Sequence, residues 1–112
     1  MGKDKAELLQ GTLDLLVLKT VQTMGPLHGW AIAKRIEQVS QDLLEMKYGT
    51  LYPALMRLEQ RGWISSEWGT SENNRRARFY SITKQGRNQL ALEEKNWEQM
   101  AAFIARVLGS TR

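Results

Sequence analysis

The spacing of apolar residues changes twice along the chain, and these two changes constrain its fold more than any other feature. Apolar side chains recur every three or four residues over residues 9–24 and again over residues 28–39, which is the period of amphipathic helices. Met24 and Val39 are the last apolar positions of the two stripes. A Gly-Pro pair between the segments predicts a turn, so the sequence predicts two helices in its first forty residues.

A third helix is predicted to begin within a residue or two of Thr50, whose hydroxyl suits the N-cap position. Leu51, Leu55 and Leu58 follow the helical period and face inward. Pro53 then lies in the first turn, where backbone N–H groups have no partner inside the helix. The predicted outer face consists of Thr50, Tyr52, Pro53, Ala54, Arg57 and Arg61.

Alternation with a period of two replaces the helical spacing after Gly62, which ends the third helix. Residues 63–68 and 78–82 alternate in the manner of β-strands and are rich in aromatic and β-branched side chains. Residues 69–77 between them are polar and include two arginines. These three segments predict a β-hairpin with a charged tip.

A last helix is predicted from a Thr83 cap to about Leu108, and its apolar residues form a band too wide for one neighbour to cover. Leu15 and Leu18 form a similar second apolar face on the first helix. We expect both faces to meet another element. The band consists of Leu90, Trp97, Met100, Ala101, Phe103, Ile104, Val107 and Leu108.

These predictions combine into a mainly α fold with a small β-hairpin, namely a winged helix-turn-helix followed by a long C-terminal helix. We expect the 112 residues to divide into a winged helix-turn-helix DNA-binding domain at residues 1–83 and a C-terminal dimerisation helix at residues 84–112. In this motif the predicted third helix is the one that enters the major groove of DNA.

Positive charge is concentrated in the middle of the chain. Between Lys47 and Arg87 eight basic side chains outnumber three acidic ones, for a net charge of +5, whereas the remaining residues carry −1. A polyanion should therefore bind the third helix and the hairpin. The candidate DNA contacts are Lys34, Arg35, Lys47, Thr50, Tyr52, Pro53, Arg57, Arg61, Arg75, Arg76 and Arg78.

The main candidates each have a physical rationale, and for several of them an alternative role remains open. Arg57 has the planar fork that matches the edge of guanine and is the candidate for base readout, with a phosphate contact as the alternative. The Thr50 and Tyr52 hydroxyls suit phosphates at the start of a helix, although Tyr52 also fits a half-buried aromatic. The hairpin arginines suit a narrow minor groove or its phosphates, or else a solvated turn.

The sequence does not indicate chemistry. It contains no cysteine and one histidine, which excludes thiol catalysis and a Cys/His zinc cluster. We interpret His28 as a helix-start or packing residue, and Glu93, Glu94 and Glu98 as a hydrated helix face. We expect no catalytic residue, metal or cofactor, and therefore not an enzyme.

Membrane insertion is not indicated either. No stretch approaches the roughly 20 apolar residues of a membrane span. Residues 1–10 alternate charge with leucine and do not resemble a signal peptide. We expect a cytoplasmic protein without a membrane partner.

Several short motifs resemble the PadR family of bacterial transcriptional regulators. The most specific is Gly-Thr-Leu-Tyr-Pro-Ala-Leu at residues 49–55, followed by Arg-Leu-Glu at residues 57–59. Further matching motifs lie at residues 11–13, 28–30, 68–69, 75–76, 79–80 and 83–86. The resemblance runs from about Leu9 to Leu108, and the single C-terminal helix is similar to the shorter subfamily.

The resemblance implies a homodimer built from the first and last helices, usually a repressor, that binds a palindromic operator on double-stranded DNA. Some family members release DNA when a small aromatic effector binds, which implies an effector cleft at Trp97, Met100, Ala101 and Ile104. Plain dimer core is the alternative for these four residues. The rival to DNA binding as a whole is a winged-helix adaptor that docks proteins.

Overall fold

A computed structural model describes residues 2–41 and 45–109, which form four helices and one three-stranded antiparallel sheet. The strands lie in the order β1-β3-β2. This arrangement confirms the predicted mainly α fold with a hairpin and a long C-terminal helix. In chain order the elements are α1 (Gly2–Met24), β1 (Leu27–His28), α2 (Gly29–Val39), α3 (Tyr48–Gln60), β2 (Ile64–Thr70), β3 (Arg76–Ile82) and α4 (Lys84–Val107).

The sheet contains one strand more than the sequence predicted. β1 is only two residues long, too short to show alternation, and it pairs with β3 through Leu27 opposite Tyr80. The hairpin strands are longer and its tip shorter than predicted, because β2 and β3 stay paired from Ile64 opposite Ile82 out to Thr70 opposite Arg76.

The hydrophobic core lies where the first three helices, the sheet and the start of α4 meet. Leu51, Leu55 and Leu58 are fully buried in it, as predicted from their spacing. Ala54 is also buried, so its predicted place on the outer face is wrong. The core consists of Leu13, Val17, Leu18, Val21, Ile32, Ala33, Ile36, Leu51, Ala54, Leu55, Leu58, Ile64, Tyr80 and Leu90.

The first two helices differ from their predictions at the edges of their apolar stripes. Leu18 is buried in the core and Leu15 packs against it, so the second apolar face of α1 meets other elements of the same chain, as expected. Met24 and Val39 are exposed, since both lie in the last turn of a helix and extend past the core. α1 also begins at Gly2, well before Leu9, because a charged helical segment has no apolar period to reveal it.

α3 begins at Tyr48, within two residues of Thr50 as predicted, but Thr50 is not its N-cap. Lys47 occupies the N-cap position in an extended backbone conformation and makes no side-chain cap hydrogen bond. Thr50 lies inside the first turn and donates its backbone N–H to the carbonyl of Lys47, so the Thr50 N-cap is wrong. Pro53 consequently lies in the second turn, on the exposed side of the helix. The predicted end is confirmed, because Gly62 adopts a left-handed φ of 79°.

α4 is capped by Thr83, as predicted. The Thr83 hydroxyl oxygen accepts the N–H of Gly86 at 3.0 Å, and the hydroxyl donates to the carbonyl of Gly62 at 2.6 Å. One side chain therefore fixes the start of α4 to the end of α3.

The rest of α4 extends away from the core. Leu90 is buried and Glu94 pairs with Lys19 of α1 at 2.9 Å, but the apolar residues that follow are exposed. The molecule measures 54 × 31 × 24 Å, and its radius of gyration of 15.4 Å exceeds the value of about 13 Å for a compact chain of this length. None of the helices in the described ranges is long and apolar enough to cross a membrane.

Candidate nucleic-acid interface

A cleft of about 660 Å³ separates the start of α3 from the hairpin. We call the hairpin the wing and define it as β2, β3 and the turn at residues 71–75 that joins them. Tyr48 and Tyr52 line the cleft on α3, and Arg75, Arg76 and Arg78 line it on the wing. The fold thus brings together two predicted sets of residues, the start of the third helix and the hairpin arginines.

Trp68 connects two of the wing arginines. It lies opposite Arg78 in the strand register, so side chains from Trp68, Arg76 and Arg78 share one face of the sheet. The guanidinium carbons of Arg76 and Arg78 lie 5.0 and 5.3 Å from the centre of the Trp68 ring. Both distances are within the range of cation–π attraction.

Arg78 is held by the protein itself. It donates two hydrogen bonds to the Ser66 hydroxyl oxygen, at 2.6 and 3.1 Å, and Ser66 donates to Glu59 of α3 at 2.6 Å. Arg78 also lies 3.6 Å from the Glu59 carboxylate. Arg78 therefore connects the wing to α3. Within the described residues Arg76 forms no ion pair, so its charge is available to a ligand.

The floor of the cleft is aromatic. A Cβ atom on Gly29 would lie only 2.9 Å from the Tyr52 hydroxyl, so a larger residue where α2 begins would have to displace the Tyr52 ring. His28 caps α2 by accepting the N–H of Ala31 at 3.3 Å, which confirms its predicted helix-start role. Burial raises the pKa of Tyr80 above its usual range, so this phenol stays protonated and uncharged at neutral pH.

The structure does not place Arg57 on the outer face of α3. Its guanidinium donates to the Asp14 carboxylate of α1 at 2.7 Å, and the two side chains are only 28% and 12% exposed. Sequence spacing could not reveal this partner, which lies 43 residues away. In this arrangement Arg57 connects α3 to α1 and does not extend toward a ligand.

The other predicted contacts are spread over several surfaces. Lys34 lies beside the cleft, 5.7 Å from the ring centre of Trp30, and 3.8 Å from Glu37. Arg35 instead lines a separate groove between α1 and α2. Arg61 lies over Trp63 at the far end of α3. Lys47, Thr50 and Pro53 are exposed at the start of α3, as predicted.

The residues that sequence reasoning missed include three aromatic residues of the cleft and one exposed residue of α3. Trp30, Tyr48 and Trp68 line the cleft, and Met56 is 61% exposed on α3. The helical period does contain the signal for Met56, since it follows Tyr52 and Pro53 by four and three residues. The two tryptophans gave no signal, because an exposed aromatic on a short strand or helix start resembles a core residue in sequence.

The second predicted site, on α4, is exposed in the single chain. Trp97, Met100, Ala101 and Ile104 all face solvent, and Phe103 lies beside them. Such a large apolar face on one helix is typical of an interaction surface. In the described ranges no cluster of three metal-binding side chains occurs.

Three packed helices followed by a wing, with a cationic cleft between the last of these helices and the wing, define the winged helix-turn-helix class. Comparison with known proteins agrees. The profile of the Transcriptional regulator PadR-like family matches residues 17–92. The chain therefore belongs to the PadR-like family of transcriptional regulators, which confirms the resemblance noted in the sequence.

Solved structures of similar proteins cover nearly the whole chain. A transcriptional regulator from Clostridium thermocellum is 30% identical, with a TM-score of 0.79 over 89% of this chain and 93% of that one. A PadR family regulator from Eggerthella lenta is 28% identical, with a TM-score of 0.78 over 96% of this chain and 90% of that one. An uncharacterized protein from Lysinibacillus sphaericus is 24% identical over 89% of this chain and 91% of its own length.

Proposed function

We propose that this regulator binds a palindromic operator in double-stranded DNA as a homodimer and represses transcription by occupying that operator. The observation that carries the proposal is the cleft in which tyrosines from the start of α3 face arginines of the wing. Hydroxyl donors and free guanidinium groups on opposite walls suit the sugar-phosphate backbone that runs between a major and a minor groove.

In the proposed complex α3 enters the major groove and the wing follows the adjacent backbone. The N-terminus of α3 offers unpaired N–H groups and a partial positive charge, and Lys47, Thr50 and Tyr52 lie exposed there. Arg75 and Arg76 are wing arginines that form no ion pair within the described residues, and we assign Arg76, which lies over the Trp68 ring, to phosphate or minor-groove contact. We assign Arg57 to positioning α3, not to reading guanine.

The homodimer is proposed from the apolar face of α4. Trp97, Met100, Phe103 and Ile104 are all about half exposed, and a second copy of the same face would remove them from water. A two-fold pairing of this kind places two α3 helices in symmetric positions, so a symmetric operator follows. We favour dimer core over an effector cleft for Trp97, because the face is continuous along the helix.

Such a protein acts by occupancy and not by catalysis. We propose that it works without a cofactor in the cytoplasm, where a bacterial regulator meets the chromosome. Competition with RNA polymerase for an occupied operator is sufficient for repression and requires no reacting group.

The test is selection of bound fragments from random duplex DNA with the full-length protein. We expect an inverted repeat whose half-sites lie about one helical turn, or a multiple of it, apart. The affinity for the recovered duplex should fall steeply between about 50 and 200 mM salt, because each neutralised phosphate contributes roughly 0.9 to the slope of log K against log salt.

Two charge variants separate the proposal from a protein-docking adaptor. Arg76→Gln should reduce that slope by up to about two in a dimer, whereas Lys95→Gln on the exposed side of α4 should leave it unchanged. Recovery of unrelated sequences, or equal slopes for wild type and Arg76→Gln, would contradict specific DNA binding by this surface.

A further inference from the structure

The exposed face of α3 carries almost no charge. Residues 49, 52, 53, 56 and 60 share this face by the helical period, and all five are exposed. They are glycine, tyrosine, proline, methionine and glutamine. Leu51, Ala54, Leu55 and Leu58 occupy the buried side.

The one arginine near the middle of this helix is not available to the exposed face. Arg57 lies on the flank of α3 toward α1, where its guanidinium pairs with Asp14 at 2.7 Å. The wing-side flank carries Tyr48, Tyr52 and Glu59, and Glu59 is occupied by Ser66 and Arg78. The centre of the exposed face therefore belongs to Pro53 and Met56, which are adjacent one helical turn apart.

Packing in the core does not explain why position 56 carries a large apolar side chain. Its side chain is 61% exposed and does not belong to the core or to the residues packed against it. A flexible apolar side chain at the centre of a face that enters the major groove has one apolar feature of DNA to contact there, the C5-methyl group of thymine.

We propose that Met56 is a specificity-determining residue that selects thymine in each half-site by contact with its methyl group. The inference rests on the proposed binding of α3 in the major groove. In this arrangement hydroxyls and arginines contact the DNA backbone, and the apolar Met56 side chain distinguishes A·T from G·C pairs.

The test uses the duplex recovered by selection, synthesised once with thymine and once with uracil, which lacks only the methyl group. Burial of one methyl group is worth about a fourfold change in an equilibrium constant, so two half-sites give about 15-fold weaker binding to the uracil duplex. Met56→Ala should reduce the ratio of thymine to uracil affinity toward one. Met56→Leu keeps an apolar side chain and should preserve a ratio above one.

Two matched variants control for other effects. Met24→Ala removes a methionine that is 46% exposed at the end of α1, and it should leave the ratio unchanged. Tyr52→Phe removes a proposed phosphate donor and should weaken both duplexes equally. All these positions are exposed, so thermal unfolding should change little.

The outcomes separate this inference from the proposed function. Tight binding with equal affinity for the thymine and uracil duplexes, recovered half-sites without thymine, or a ratio that Met56→Ala leaves unchanged would each overturn the role of Met56 alone. A wild-type protein that binds no duplex at low ionic strength would overturn DNA binding itself.

Discussion

Replacing Asp14 by asparagine should destabilise the protein and not merely alter its surface. The carboxylate of Asp14 is 12% exposed and accepts a hydrogen bond from Arg57 at 2.7 Å. Asparagine keeps the shape but removes the charge, which leaves the mostly buried guanidinium of Arg57 without its counter-ion. The unfolded state has no such interaction, so the loss falls on the folded state.

The magnitude follows from the burial of the two groups. Breaking a fully buried ion pair costs about 3–5 kcal/mol, and a hydrogen bond to a charged group is worth about 1.5–3 kcal/mol. Because 28% of the Arg57 side chain still reaches water, we expect the lower range, about 2 kcal/mol. For 112 residues this loss corresponds to a decrease in Tm of about 8 °C.

The assay is urea unfolding followed by tryptophan fluorescence, at a protein concentration that keeps the oligomeric state constant. Arg57→Met should cost a similar amount, and the double variant Asp14→Asn/Arg57→Met should be more stable than the sum of the two single losses predicts, by at least about 1 kcal/mol. The reasoning is refuted if Arg57→Met leaves the unfolding free energy unchanged and instead relaxes base preference at one position. That result would return Arg57 to base readout.

Three further predictions concern α4, the helix junction and the wing. Ile104→Glu should convert the dimer to a monomer in sedimentation equilibrium, because it places a carboxylate in the proposed interface. An unchanged mass would show that this face of α4 does not form the dimer interface. Thr83→Ala should cost about 1–2 kcal/mol in urea unfolding by losing the α4 cap and the bond to Gly62, and Thr83→Ser should restore most of it. Trp68→Leu should weaken duplex binding about threefold in fluorescence anisotropy, because the aromatic ring beside Arg76 is lost. Trp68→Phe keeps an aromatic ring and should keep most of the affinity. Additive losses in Trp68→Leu/Arg76→Gln would argue against that explanation.

Local chemistry made the packing of this fold predictable. Leu51, Leu55 and Leu58 share a helical face whatever surrounds them, and Thr83 caps α4 through atoms only three residues away. Gly62 ends α3 because it adopts a left-handed φ, a conformation that is unfavourable for residues with a side chain. Each of these features depends on neighbours in sequence, and each prediction is confirmed.

The site was less predictable because its geometry depends on distant partners. The helical period predicted an unpaired Arg57, but in the fold it pairs with Asp14, which lies 43 residues earlier in the chain. Arg78 is likewise held by Ser66 and Glu59, on another strand and on α3. A count of charges in sequence includes all arginines equally, whereas the fold commits some of them to structure and leaves others, such as Arg76, unpaired.

This division of the arginines has a consequence for how affinity and specificity would be distributed. Unpaired charge lies on the wing and at the start of α3, whereas the exposed centre of α3 is formed by Pro53 and Met56. The free energy of phosphate neutralisation depends on salt concentration but not on base sequence. Contact with a thymine methyl group depends on base sequence and little on salt concentration. Changes to Arg76 and to Met56 should therefore act on different observables, the first on the salt slope and the second on the thymine preference. Their effects on the free energy of binding should add, because no side chain of the described structure connects the two positions directly.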